Sequence, residues 1–230
     1  LSRIKRCKTV IWIQDLWPQS LVFTGHITNP LLISLIQRPI NWIYRHSTIL
    51  VSSPGMMPHL PKWVQSSVQH VHNVYPAPDV HPSISVDQML QRIADPDDCS
   101  IGSLALQMRA LTQMKSTFSV LCAGTIGTVQ CAELIHRAAE VLAKKPGMTK
   151  DGRPICFYLA GWGKMAQDLL DKIEQDPKLA QVCIMVGLIK DPAVMQAYYD
   201  QADVLLLGLK SDDRVLNAAI PGRTAAYLAN

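Results

Sequence analysis

Apolar residues in the second half of the chain fall into short unbroken runs, separated by glycines and by stretches of helical spacing. Phe118 to Ala123 is apolar except for Ser119 and ends in Gly124-Thr125-Ile126-Gly127. Glu133 to Lys145 then groups Leu134, Ile135, Ala138, Ala139, Val141 and Leu142 toward one side, as an amphipathic helix does. Lys144-Lys145-Pro146-Gly147 supplies a basic and then helix-breaking stop. The unit recurs as Ile155 to Ala160, Gly161-Trp162-Gly163, and a helix carrying Met165, Leu169, Leu170 and Ile173. A third copy runs from Val182 to Val186, through Gly187, into a helix around Val194 to Ala202, and Val204 to Leu209 predicts a buried fourth strand. Apolar strands alternating with helices predict an α/β fold with a parallel sheet covered on both faces. Right-handed crossovers then carry the strand C-termini to one rim. Gly124, Gly127, Gly161, Gly163 and Gly187 should all lie there, where open α/β sheets bind ligands.

The first part is less regular. Val10 to Ile13 and Thr48 to Ser52 read as strands, with a helix between them from about Leu31 to Arg45, bent at Pro39. Val68 to Val74 reads as a further strand, ending in the turn-rich Tyr75-Pro76-Ala77-Pro78-Asp79. The resulting division is a first domain over 1–85, an interdomain connection over 86–115, within which Leu104 to Met114 reads as helical and speaks against a plain connection, and a second domain over 116–230.

Composition narrows the class. The chain has 230 residues, 48% of them hydrophobic, enough for one large or two medium cored domains. No apolar run approaches the ~18–20 residues that cross a bilayer. The net charge of +4 is mild, with Arg3, Lys5, Arg6 and Lys8 crowded at the start. That cluster reads either as a solvated strand edge or as a patch approaching an anionic membrane surface. No aromatic residue interleaves with it, so nucleic acid is not expected as a partner. The six cysteines form no C-x-x-C pair, and Cys122, Cys156 and Cys183 lie in apolar runs as small hydrophobes. A reducing cytoplasm is the expected compartment, and no metal site is expected.

The strongest chemical signal closes the chain. After the Val204 to Leu209 run, Pro221-Gly222-Arg223-Thr224 forms a turn into a small-residue helix start. Backbone N–H groups there favour an anion, and Arg223 can add a bidentate contact to phosphate. Gly161-Trp162-Gly163-Lys164 is a partial G-x-G, which reads either as a tight strand-to-helix joint or as a phosphate loop. No G-x-G-x-x-G occurs, which disfavours a dinucleotide-dependent oxidoreductase. Asp15-Leu16-Trp17-Pro18-Gln19-Ser20 follows a strand. Asp15 there either orients a substrate hydroxyl or acts as a base, or it caps the next turn while Trp17 fills the core. His70 and His72 share a face if their segment is a strand, without an obvious third ligand, and His136 reads as exposed. Tyr198, Tyr199 and Met195 read as core.

Taken in order, these segments resemble the family 4 glycosyltransferases of GT-B fold, in particular the branch that builds bacterial capsule, O-antigen and exopolysaccharide chains. The matching pieces are the Asp15 to Ser20 motif, Ile49 to Ser53, Val74 to Asp79 and Ala123 to Gln130. Ala160 to Gly163, Val186 to Ile189, Ala197 to Leu206 and Pro221 to Ala229 complete the set. The resemblance implies two Rossmann-like domains with parallel sheets, both incomplete here: the chain lacks the glycine-rich start of the first and stops before the return from the second.

By the same resemblance the second domain holds a nucleotide-diphosphate sugar, UDP- or GDP-linked, as donor. The loop of Gly124, Thr125 and Gly127 and the turn of Pro221, Gly222, Arg223 and Thr224 would hold the diphosphate, with Gly161, Gly163 and Lys164 also among the donor-binding residues. Gly187 and Leu188 would line the base pocket. A glycan or lipid-linked acceptor would meet the first domain beside Asp15, at the inner face of the cell membrane. Members transfer with retention and need no bound metal or other cofactor. This chain departs from the family pattern where a glutamate is usual, since Ala226 stands there, and where a lysine is usual, since Arg223 stands there. The alternative is therefore a catalytically degenerate nucleotide-sugar-binding module of the same fold.

Overall fold

The computed structural model describes residues 7–23, 27–72, 100–130, 132–209, 218 and 220–229. Val74 to Asp79 and residues 80–99 lie outside them. The chain divides into two units, Leu1–Val74 with Lys210–Gly222, and Tyr75–Leu209 with Arg223–Asn230.

In the first unit, β1 (Val10–Ile13) leads through α1 (Gln19–Phe23) to α2 (Pro30–Arg45) and β2 (Thr48–Val51). A 3-10 turn (Pro54–His59), α3 (Lys62–Gln65) and β3 (Gln69–His70) follow. The sheet is parallel in the order β1-β2-β3, with Ile13 beside Val51 and Val51 beside His70. Asn29 starts α2 by accepting a hydrogen bond from the Leu31 amide at 2.9 Å, and Pro30 follows at the first helical position. The helix continues through Pro39, so the Leu35 carbonyl lacks its donor four residues on. Alternation in β2 turns Ile49 and Val51 to one side, where they pack with Ile13, Leu16, Tyr44, Met56, Leu60 and Val64.

The second unit opens with α4 (Leu104–Met114), capped by Ser103, whose hydroxyl accepts from the Leu106 amide at 3.1 Å. It continues with β4 (Phe118–Ala123), α5 (Ala132–Lys144), β5 (Ile155–Ala160), α6 (Ala166–Gln175) and α7 (Pro177–Val182). Then come β6 (Cys183–Gly187), α8 (Pro192–Gln201), β7 (Val204–Leu205) and α9 (Gly222–Leu228). The strands of this sheet pair in parallel, in the order β6-β5-β4-β7. Successive strand residues alternate between two cores. Val120, Cys122, Phe157, Leu159 and Met185 meet α5, α6 and α7. Leu121, Tyr158, Ala160 and Val186 meet α4 and α8 on the opposite face.

Four expectations change. The described part of the stretch 86–115 is more than a connection, because Met108, Leu111 and Met114 of α4 are at most 1% exposed in the second unit's core. The fourth strand is short and half-exposed, since β7 pairs only with β4 and sits at the sheet edge among the described residues. In α5, Leu134 and Val141 face outward while Ile135 and Ala139 are buried, so the apolar side is narrower than its composition predicts. His136 is not exposed: its side chain is 13% accessible, beside Glu140 at 3.9 Å.

At the opposite end of this sheet from the glycines, Asp203 ties β7 to β4. Its carboxylate accepts from the Ser119 amide at 2.8 Å, the Ser119 hydroxyl at 3.0 Å and the Arg153 guanidinium at 3.1 Å. Desolvation works against its charge, but the Ser119 and Arg153 contacts outweigh it and hold the carboxyl below its ordinary range.

Candidate functional site: the glycine loops at the strand tips

Strand β4 ends at Ala123, and Gly124 turns the chain with φ +108°, a conformation that a side chain disfavours. The loop after it lies against the loop after β5. The Gly124 amide donates to the Ala160 carbonyl at 2.8 Å, and the Ile126 amide to the Trp162 carbonyl at 3.2 Å. A Cβ on Gly161 would fall 1.8 Å from the Gly124 carbonyl oxygen, and one on Gly163 2.4 Å from that of Ile126. These two glycines are therefore required for the loops to touch. Gly127 is tight as well, since its Cβ would meet the Gln130 side-chain oxygen at 2.8 Å.

Helix α9 closes onto the same tip. The Arg223 guanidinium donates to the Ala123 carbonyl at 2.8 Å and to the Thr125 carbonyl at 3.4 Å. Tyr227, one turn further, accepts from the Ala123 amide at 2.9 Å and donates to the Ala123 carbonyl at 3.3 Å. The last residue of β4 thus has its backbone groups bonded from α9. In the order β6-β5-β4-β7 the chain runs outward on either side of β4, so its tip lies at the topological switch. Sequence reading missed Tyr227. Its spacing of four from Arg223, which places both on one helix face, is the signal that could have found it.

The other expected site residues fall as follows. Thr125 and Lys164 are exposed, and Gly222 has open space where a Cβ would be. The Thr224 hydroxyl is buried without a hydrogen-bond partner among the described residues. Pro221 is half-buried just before α9. Gly187, with φ +76°, stands at the tip of β6, where a Cβ would lie 2.6 Å from the Gly102 amide nitrogen. Leu188 beside it is 53% exposed, and its carbonyl accepts from Gln107 at 3.4 Å. Gly187 and Leu188 therefore border the start of α4, while Gly124 and Thr125 lie beside Arg223 and Gly161 and Gly163 pack against Gly124 and Ile126. Burial pushes the Cys122 thiol up, an effect that the nearby Arg223 charge opposes. A protonated thiol there is no nucleophile.

In the first unit, Asp15 is exposed just beyond β1. It lines a cavity of about 370 Å³ with Trp12, Trp17, Ile40, Ile43 and Tyr44. Trp17 is 47% exposed, so it does not fill the core. The Trp12 ring is fixed by a hydrogen bond to the Val71 carbonyl at 3.2 Å. The His70 and His72 rings meet edge to face at 4.1 Å, and no third metal-ligating side chain joins them among the described residues.

No model of a protein family matches the chain, and no curated protein matches it. Among solved structures it is similar to two crystal structures of HepE from Anabaena, one in complex with UDP and one with UDP and glucose. Identity is 12% to both, with TM-scores of 0.52 and 0.53. The matches cover 89% and 93% of this chain but 47% and 49% of HepE, so the chain spans about half the length of that protein. At such identity the likeness is one of fold. That fold is α/β with parallel sheets, of the GT-B-like kind.

Proposed function

We propose that the second unit binds the diphosphate of a nucleotide sugar, UDP- or GDP-linked, at the tips of β4 and β5. The chain then belongs to a glycosyltransferase that moves the sugar, with retention, to a glycan or lipid-linked acceptor. The observation that carries this reading is the position of Arg223 on the Gly124 loop. A guanidinium has five N–H donors, and the two carbonyl contacts leave others for phosphate oxygens. Gly124 keeps side-chain bulk away from that approach. The UDP held by HepE, which shares the fold, agrees with this ligand class.

In the reaction the bond between the sugar's anomeric carbon and the diphosphate oxygen breaks, an acceptor hydroxyl oxygen takes its place on the same face, and the hydroxyl's proton passes to the departing diphosphate. Charge accumulates on the leaving diphosphate, and donors fixed before the reaction stabilise it. Arg223, the Thr224 hydroxyl and the exposed Lys164 are assigned that work, with no bound metal. Gly187 and Leu188 are assigned to the nucleoside, and Asp15 to the acceptor hydroxyl. A second reading is favoured by Ala226, which is 4% exposed and puts no carboxylate where the resembled family usually has one. On that reading the unit binds the nucleotide sugar without transferring it.

Calorimetric titration with UDP, GDP and NAD tests the ligand class. Replacing Arg223 by Ala should weaken binding of the preferred diphosphate by about 1–3 kcal/mol, the range for a charged hydrogen bond. Unchanged affinity in that variant, or binding of NAD alone, removes the proposal. Donor binding without hydrolysis or transfer to any acceptor favours the second reading.

A further inference from the structure

Helix α2 is apolar on two faces. Inward, Ile40 and Tyr44 pack on the first unit's core. Outward, Leu31 is 80% exposed, Leu35 60% and Trp42 52%. Their spacing puts them in one stripe roughly 17 Å long at 1.5 Å per residue. Arg38 and Arg45 lie in the same stripe. At its end the Arg45 guanidinium sits 4.9 Å from the centre of the Trp63 ring, and Trp63, 46% exposed, carries the patch onto α3 beside Lys62.

A surface helix ordinarily turns polar and mixed-charge residues outward. Here every charge on α2 is positive, and no Asp or Glu occurs between Asp15 and Asp79. Leucine and tryptophan exposed among arginines are the chemistry of the lipid headgroup boundary, where rings and aliphatic chains enter the acyl region and cations stay with the headgroups. We propose that this face, α2 with the adjoining end of α3, lies on an anionic lipid bilayer. The uniform positive charge selects an anionic surface, and the convex stripe suits a flat one. The inference does not depend on the donor reading, because it uses no residue of the second unit.

Flotation of the chain with vesicles tests it, using phosphatidylcholine alone and an equimolar mixture with phosphatidylglycerol. The chain should float with the mixed vesicles, less so at raised salt, and stay behind with the neutral ones. Replacing Arg38 and Arg45 together by Gln should lower binding roughly tenfold or more and flatten its salt dependence. Replacing Leu31 and Leu35 by Ser should lower it about tenfold without changing that dependence. Both pairs are exposed, so thermal melting should stay as it is. The proposal is overturned if both variants float like the unaltered chain, or if neutral vesicles bind equally well. It also fails if the face proves to join two copies, seen as a dimer that these substitutions dissociate while flotation is absent.

Discussion

The two units treat their strands differently. In the second, every residue of β4 after Phe118 and of β5 after Ile155 is buried, because helices cover both faces of the sheet. In the first, β1 buries only Ile13, and Val10 and Trp12 remain 58% and 39% exposed. The contrast extends to charge, since Asp15 is the only carboxylate before Asp79. A sheet closed on both sides fixes its strand tips closely enough to place donors. A unit with apolar and basic residues outside is built to meet something else.

This comparison breaks most readily at the tips. Gly161→Ala puts a methyl 1.8 Å from the Gly124 carbonyl. It should cost the second unit about 3 kcal/mol or more, the upper range for overpacking, and, on the proposed reading, abolish stabilisation by the preferred nucleoside diphosphate. Gly222→Ala, with open space around it, should stay within about 0.5 kcal/mol. Urea denaturation of the two variants measures both. Equal costs would mean that the loops are not held as tightly as the distances show.

At the other end of the same sheet, Asp203→Asn should remove about 1 kcal/mol at neutral pH, through weakened bonds to Ser119 and Arg153. The folded carboxyl is held below its unfolded value of 3.8, so its contribution is full above that pH and fades as pH falls through the lower folded value. The stability gap between the Asp203→Asn variant and its parent, followed by denaturation from neutral to acid, should therefore close below about pH 4. The smallest effect belongs to the first unit. Leu31→Ala, at a residue 80% exposed, should change stability by less than about 0.5 kcal/mol. A loss like that of a buried leucine would show that α2 is covered.

Much of the second unit was legible in its residue pattern. The runs 118–123, 155–160 and 182–186 became β4, β5 and β6 nearly residue for residue, because glycine or proline bounds each and helical spacing follows. The first unit was less readable. Of the segment from Val68 to Val74, the described residues hold only the two-residue β3, and Leu31, Leu35 and Trp42 gave α2 an apolar pattern without saying which side the core took. Of the candidate site, the glycines were legible by their repetition at strand ends, but not their different duties. Gly161 and Gly163 make room for a neighbouring loop, Gly124 turns the chain beside Arg223, and Gly187 abuts Gly102.

Periodicity by itself determined the alternation of strand and helix, the parallel sheet and the rim that carries the glycines. Those features depend on spacing along the chain, which folding does not alter. Only the tertiary structure decided that Arg223 and Tyr227 fasten onto Ala123, about a hundred positions earlier. The same holds for α4, which became core, and for β7, which became an edge. Such outcomes depend on which elements arrive beside one another, and no local pattern of residues encodes that.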